Sequence, residues 1–156
     1  MSDPVVTLFP PWRQAILDFM AAGFKPGDIV PHAWLAEHFG MPVLHDATTL
    51  SVAEYRDRQF QWLANIEAMK AELLEQHQIF LCSVFGQGWR WVPPHEQTGE
   101  AVKKFERDAR HAYRQVGMRL THLRIAELTD GQRRENSDAI GRLSLLEGMQ
   151  KTLVKN

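Results

Sequence analysis

Ile79-Phe-Leu-Cys-Ser-Val-Phe-Gly-Gln-Gly-Trp-Arg-Trp-Val-Pro-Pro94 is the stretch whose reading decides the fold. β-Branched and aromatic residues run from Ile79 to Phe85, Gly86-Gln87-Gly88 interrupts them, and a second run from Trp89 to Val92 stops at Pro93-Pro94. Glycine reaches the backbone angles of tight turns at no steric cost, so the two runs predict a hairpin. Trp89 and Trp91 alternate with Arg90 and therefore share one side of their strand, expected to be the core side.

Upstream, Pro10-Pro11-Trp12 suits the start of a helix, and Trp12, Ile16, Phe19 and Met20 repeat at helical spacing until Gly23. Phe24-Lys-Pro-Gly-Asp-Ile-Val-Pro31 has turn chemistry followed by two β-branched residues, enough for one short strand. His32 to Phe39 predicts two helical turns closed by Gly40. Met41 to Leu50 is an irregular connection, since Pro42 prevents the helix from running on. Ser51 with Glu54 three residues later is a capping box for a long helix from Val52 to His77. Its expected buried stripe is Val52, Tyr55, Gln59, Leu63, Ile66, Met69 and Leu73, widened by Phe60 and Trp62.

The order helix, short strand, helix, helix, hairpin is that of a winged helix. Phe85-Gly-Gln-Gly-Trp-Arg-Trp-Val92 resembles the final hairpin of the winged helix-turn-helix effector domains of two-component response regulators, where a glycine-x-glycine-aromatic-arginine signature ends the domain. The likeness is close over the hairpin and loose over the order of elements, about half the chain. It implies a mainly α (α+β) fold with a small β-hairpin wing. No receiver-domain pattern precedes it, so a phosphorelay role is not implied. The segments Leu73 to Pro94 and Leu128 to Asn136 also resemble small proteins of temperate phages and plasmids. That likeness implies mobile-element regulation, replication control or inhibition of host defence as contexts.

Beyond the hairpin, His95 to Gly99 reads as a polar linker and Glu100 to Leu128 as one helix. Val102, Phe105, Ala109, Ala112, Val116, Leu120 and Leu123 recur at nearly heptad spacing, the pattern of a seam that closes within one chain or pairs two chains as a homodimer. Thr129-Asp-Gly-Gln132 is a second capping box, opening a last helix with Ile140, Leu143, Leu146 and Leu153 on one face. The expected domains are 1–95, the winged helix, and 96–156, a helical hairpin used as a dimerisation element or basic tail.

A net charge of -1 conceals two opposed halves. Residues 1–100 carry 6 Lys and Arg against 12 Asp and Glu, whereas residues 101–156 carry 12 against 7. An acidic front fits a protein partner, and a basic back fits nucleic acid. No apolar run reaches the roughly 18 residues of a membrane span, and no secretory leader is evident, so a cytoplasmic protein is expected. Cys82, the single cysteine, cannot form an intramolecular disulfide and reads as a small core residue.

Catalytic chemistry finds little support. The histidine pairs His32/His38 and His111/His122 lack the spacing that converges two imidazoles from one helix, and a cysteine-based zinc site is excluded. There is no nucleophile elbow or phosphate loop, and Gly86-Gln-Gly88 lacks the strand-to-helix setting of a dinucleotide site. Neither an enzyme nor a cofactor is expected.

Candidate contacts are therefore those of a duplex DNA binder. Gln87 and Arg90 occupy the wing, although Arg90 between two tryptophans has the alternative of stacking on an indole. Thr48, Thr49, Ser51, Tyr55, Arg56, Arg58 and Gln59 supply donors at the start of the long helix, with Asp46, Glu54 and Asp57 against them. Lys103, Lys104, Arg107, Arg110, Arg114, Arg119, Arg124, Arg133 and Arg134 are opposed only by Glu106, Asp108, Glu127 and Asp130, an electrostatic footprint for nucleic acid or the flanks of a dimer seam. Two functions follow: a DNA-binding regulator of transcription or replication, or a winged-helix module that binds protein.

Overall fold

A computed structural model describes residues 9–42, 44 and 49–154. The elements are α1 (Pro11–Ala22), β1 (Ile29–Pro31), α2 (His32–His38), α3 (Val52–His77), β2 (Leu81–Val84), β3 (Gly88–Trp91), α4 (Pro94–Thr121) and α5 (Asp130–Val154), with a 3-10 turn at Ile125–Glu127. The fold is mainly helical α+β with one small antiparallel sheet. Two compact units divide the chain, Met1–Gln97 and Thr98–Asn156.

In the first unit the sheet order is β1-β3-β2. The hairpin partner β3 takes the centre, with Leu81 opposite Trp91 and Val84 opposite Gly88, and β1 adds to its other edge with Ile29 opposite Arg90. Gly88 makes this possible, because a Cβ there would overlap the Val30 carbonyl oxygen. Its missing side chain lets two backbones meet.

Helices α1, α2 and α3 and the sheet close on one core of Ala15, Ile16, Phe19, Val30, Leu35, Phe39, Met41, Ile66, Met69, Leu73, Ile79 and Leu81. Phe19 stacks on Phe24 at 5.2 Å between ring centroids and meets Trp91 at 5.6 Å. Each fully buried side chain of this size contributes about 1.5–3 kcal/mol. Both ends of α3 are closed by local bonds. Ser51 Oγ accepts from the Glu54 N–H at 3.2 Å while Glu54 Oε2 accepts from the Ser51 N–H at 2.8 Å. At the other end Gln78 turns left-handed at φ 54°, and the Ile79 N–H reaches the Leu73 carbonyl at 2.9 Å. Ile79 thereby enters the core beside Leu73.

The stripe expected on α3 is buried only in its second half. Ile66, Met69 and Leu73 are core residues, but Val52, Tyr55, Gln59, Phe60 and Leu63 are exposed, with Val52 at 85%. A 26-residue helix is about 39 Å long, and the short α1 and α2 leave its first turns uncovered, with packing against the core beginning at Trp62. Met20 is likewise exposed at 50%.

The second unit consists of the antiparallel helices α4 and α5. A Cβ on Gly117 would lie 4.0 Å from the Leu143 side chain, and Tyr113 shares a groove with Glu147 and Gln150. No residue of either helix is fully buried. The expected linker 95–99 is helical, because Pro93-Pro94 starts α4 where a separator was expected: proline suits a first helical turn, and Glu96 adds favourable charge there. The helix ends at Thr121, well before Leu128. There Thr121 Oγ1 donates to the Gly117 carbonyl at 2.7 Å, and His122 Nδ1 lies 2.9 Å from the Met118 carbonyl. Side chains satisfy the last carbonyls and let the backbone leave the helix. Leu123 and Arg124 consequently lie outside it. The second capping box forms as expected, with Gln132 Oε1 accepting from the Thr129 N–H at 3.0 Å and Thr129 Oγ1 from the Gln132 N–H at 3.2 Å.

Candidate nucleic-acid interface

Three groups of side chains were expected to face nucleic acid. At the start of α3, Thr48 lies outside the described residues, as does Asp46. Thr49, Tyr55, Arg56 and Gln59 are exposed, but Ser51 is occupied by its capping box. Arg58 is half-buried and lines a shallow groove with His32, Met41, Leu44 and Trp62. Around these donors stand the exposed carboxylates of Glu54 and Asp57 and the exposed apolar side chains Val52, Phe60 and Leu63. Hydrogen bonds from the Ser51 backbone N–H and then its side chain hold the Glu54 carboxyl below the ordinary carboxylate range, so it stays charged. A phosphate approaching here meets as much negative as positive charge.

Trp89 and Trp91 pack partly buried against the core. Arg90 Nη1 donates to Glu96 Oε2 at 2.8 Å, and the pair is half-buried. Lys70 Nζ lies over the Trp89 indole, 4.5 Å from the ring centre. Neither Glu96 nor Lys70 was singled out from the sequence. Their distance along the chain from Arg90 and Trp89 gives no periodic signal. Gln87 is exposed, and its carbonyl accepts from the His32 N–H at 3.3 Å.

The basic residues of the second unit do not act as one set. At about 100° per residue, Lys103, Arg107, Arg110 and Arg114 fall on one side of α4, one cation per turn. All four are exposed or on the rim of the groove beside α5. Lys103 is 3.3 Å from Glu100, whereas Arg107, Arg110 and Arg114 have no ion pair among the described residues. Lys104 lies beside this ridge and bonds Asp108, which holds the Asp108 carboxyl below its ordinary range. Arg119 lies away from the ridge, near the side of Phe105 and Val116. Arg124 pairs with Glu127 at 3.4 Å, and Arg133 donates to the Ile125 carbonyl at 3.2 Å, tying down the turn into α5. Arg134 is exposed among Glu135, Asp138 and Arg142. Two further cations among the described residues were not singled out: Arg142, and Lys151 on α5, which shares the groove with Arg110 and pairs with Glu147 at 3.1 Å.

Among the described residues no three histidine, cysteine or carboxylate side chains converge as metal ligands, and no helix is long and apolar enough to cross a membrane. The chain matches no protein-family model, no curated protein and no solved structure.

Proposed function

We propose that this protein binds duplex DNA, with Lys103, Arg107, Arg110 and Arg114 holding phosphates, and that its first unit is a winged helix serving a regulator of transcription or replication in a mobile element. The ridge carries the reading. Three guanidiniums at successive turns, without an ion pair among the described residues, offer charge-assisted bonds to phosphate while few internal bonds have to break. Support for the winged helix comes from the order α1-β1-α2-α3-β2-β3 and from the pairing of β1 with the second hairpin strand. The likeness of the hairpin and of Leu128 to Asn136 to phage and plasmid proteins supplies the context.

The test is binding of random-sequence duplex DNA, read by fluorescence anisotropy across a salt series. Replacing Arg107, Arg110 and Arg114 together by glutamine is expected to reduce the slope of log affinity against log salt by about 2.7, at about 0.9 for each phosphate no longer neutralised. Absence of any bound duplex at low salt rejects the proposal.

A second reading has its own observation. The N-terminal half of α3 exposes Val52, Phe60 and Leu63 in an acidic unit, which suits a protein partner better than phosphate. A stoichiometric complex free of nucleic acid and abolished by Phe60→Glu distinguishes this reading from the first.

A further inference from the structure

Two helices of 28 and 25 residues make up most of the second unit, yet none of their residues is fully buried. A helical hairpin buries one narrow seam, and its stability in water requires another layer on its open apolar side. The seam is marked by half-buried residues, among them Ala109, Tyr113, Gly117 and Leu120 on α4 and Ile140, Leu143, Glu147 and Gln150 on α5.

Turning about 100° from that seam, in the same rotational sense on each helix, reaches Phe105 and Val116 on α4 and Leu146, Met149 and Leu153 on α5. Because the helices are antiparallel and right-handed, equal rotation brings both sets to one side of the hairpin. The ridge of Lys103, Arg107, Arg110 and Arg114 lies on the opposite side. The hairpin is therefore two-faced: one side basic, the other apolar. The five apolar residues are 57%, 40%, 54%, 56% and 79% exposed, in the order named.

We infer that this apolar side is covered by the same side of a second copy, giving a four-helix bundle with the basic ridges outside. Three observations select that occupant. At typical side-chain sizes the five residues expose on the order of 500 Å² per chain, before flanking residues, approaching the about 800 Å² per partner of a standard interface. Both helices supply the face, α4 over residues 105–116 and α5 over residues 146–153, so the complementary object is another pair of helices presenting an equally short apolar patch. The charges beside the face are also of both signs. On α5 Arg142 stands with Glu135 and Asp138, and none of the three has an ion pair among the described residues. An isologous contact sets such a surface against its own opposite charges, whereas a partner of one sign answers only half of them.

The inference does not rest on DNA binding, and its test contains no nucleic acid. Light-scattering mass of the full chain at micromolar concentration is expected near twice 17.9 kDa. Leu146→Glu with Met149→Glu is expected to weaken self-association at least about a hundredfold. Both side chains are exposed in the single chain, so their replacement spares the seam between α4 and α5. Loss of the dimer mass supports the proposal whether or not circular dichroism shows accompanying loss of helix. Met118→Glu, away from the proposed face on α4, is expected to leave the dimer intact. A single-chain mass for the unaltered protein, or a dimer that persists in the double variant, overturns the proposal.

Discussion

The two units solve the same problem, the burial of apolar side chains, by different means. The first wraps three helices and a sheet around Phe19, Leu35, Ile66, Met69 and Leu73, each at most 1% exposed. The second has helices of 28 and 25 residues, matching the 26 of α3, and no fully buried residue. Helix length and periodic pattern therefore do not make a core by themselves. A core needs elements approaching from several directions, and three helices with a sheet supply them where two antiparallel helices cannot. Charge follows the same division, because a surface left open can carry function: the acidic first unit devotes few side chains to a basic patch, and the second displays one.

The largest expected effect tests the difference in burial. Phe19→Ala is expected to destabilise the first unit by about 3–5 kcal/mol, through lost transfer energy and the cavity left among Phe24, Trp34 and Trp91. Leu143→Ala, facing Gly117 in the second unit, is expected to cost about 1 kcal/mol, since half-burial gives a smaller loss. Denaturant unfolding with fluorescence and circular dichroism as separate probes compares them. Equal costs would show that the second unit has a core of its own.

Glycines sharpen the contrast by a difference of sign. Gly88→Ala drives a Cβ into the Val30 carbonyl and is expected to cost about 1–3 kcal/mol through separation of β1 from β3. Gly148 lies within α5 with nothing near its missing side chain, so Gly148→Ala is expected to stabilise that helix by about 1 kcal/mol. Opposite shifts in melting temperature are the expected outcome.

The helix caps offer a finer test, because the same device occurs in both units with different chemistry. Ser51→Ala and Thr129→Ala are each expected to cost about 1 kcal/mol, read from thermal melts. Acid separates them. Glu54 has its folded pKa lowered from 4.5, so its contribution is complete above that value and is lost as pH falls through the lower folded value. Gln132 does not titrate in that range. An NMR titration is expected to move the Ser51 and Glu54 amides in acid and leave those of Thr129 and Gln132 in place.

The smallest expected effect is on binding. Arg90→Gln is expected to leave duplex affinity within about twofold, since that guanidinium is engaged by Glu96. Arg110→Gln is expected to weaken binding and lower the salt slope by about 0.9. A larger loss from Arg90 in the anisotropy assay returns the wing to the interface.

The elements of the first unit were legible in the sequence because their signals are local: Gly23 after α1, Ser51 and Glu54 before α3, and Gly86 to Gly88 between strands. Thr129 and Gln132 announced α5 for the same reason. Burial along α3 was not legible, because periodicity gives the direction of a stripe and not how far neighbouring helices cover it. Pro93-Pro94 was read as a separator although proline also begins helices, and only the acceptors near it decide which. The candidate site was legible as a charge excess but not as a ridge. That distinction required the end of α4 at Thr121, fixed by side-chain bonds to Gly117 and Met118. The pairing of Arg90 with Glu96 was not legible, because Glu96 lies beyond two prolines, where no strand or helix repeat links them.

The pairing of Ile29 with Arg90 across the central strand also sets a timetable. Helices α1, α2 and α3 can form from local contacts, but β1 has no hydrogen-bonding partner until the chain has extended through Gly88–Trp91. Closing so long a loop is entropically slow, and the sheet is expected to complete after the helices. During synthesis the first unit therefore remains open along one edge until nearly its last residues have emerged, and the same β3 that closes it leads directly into α4.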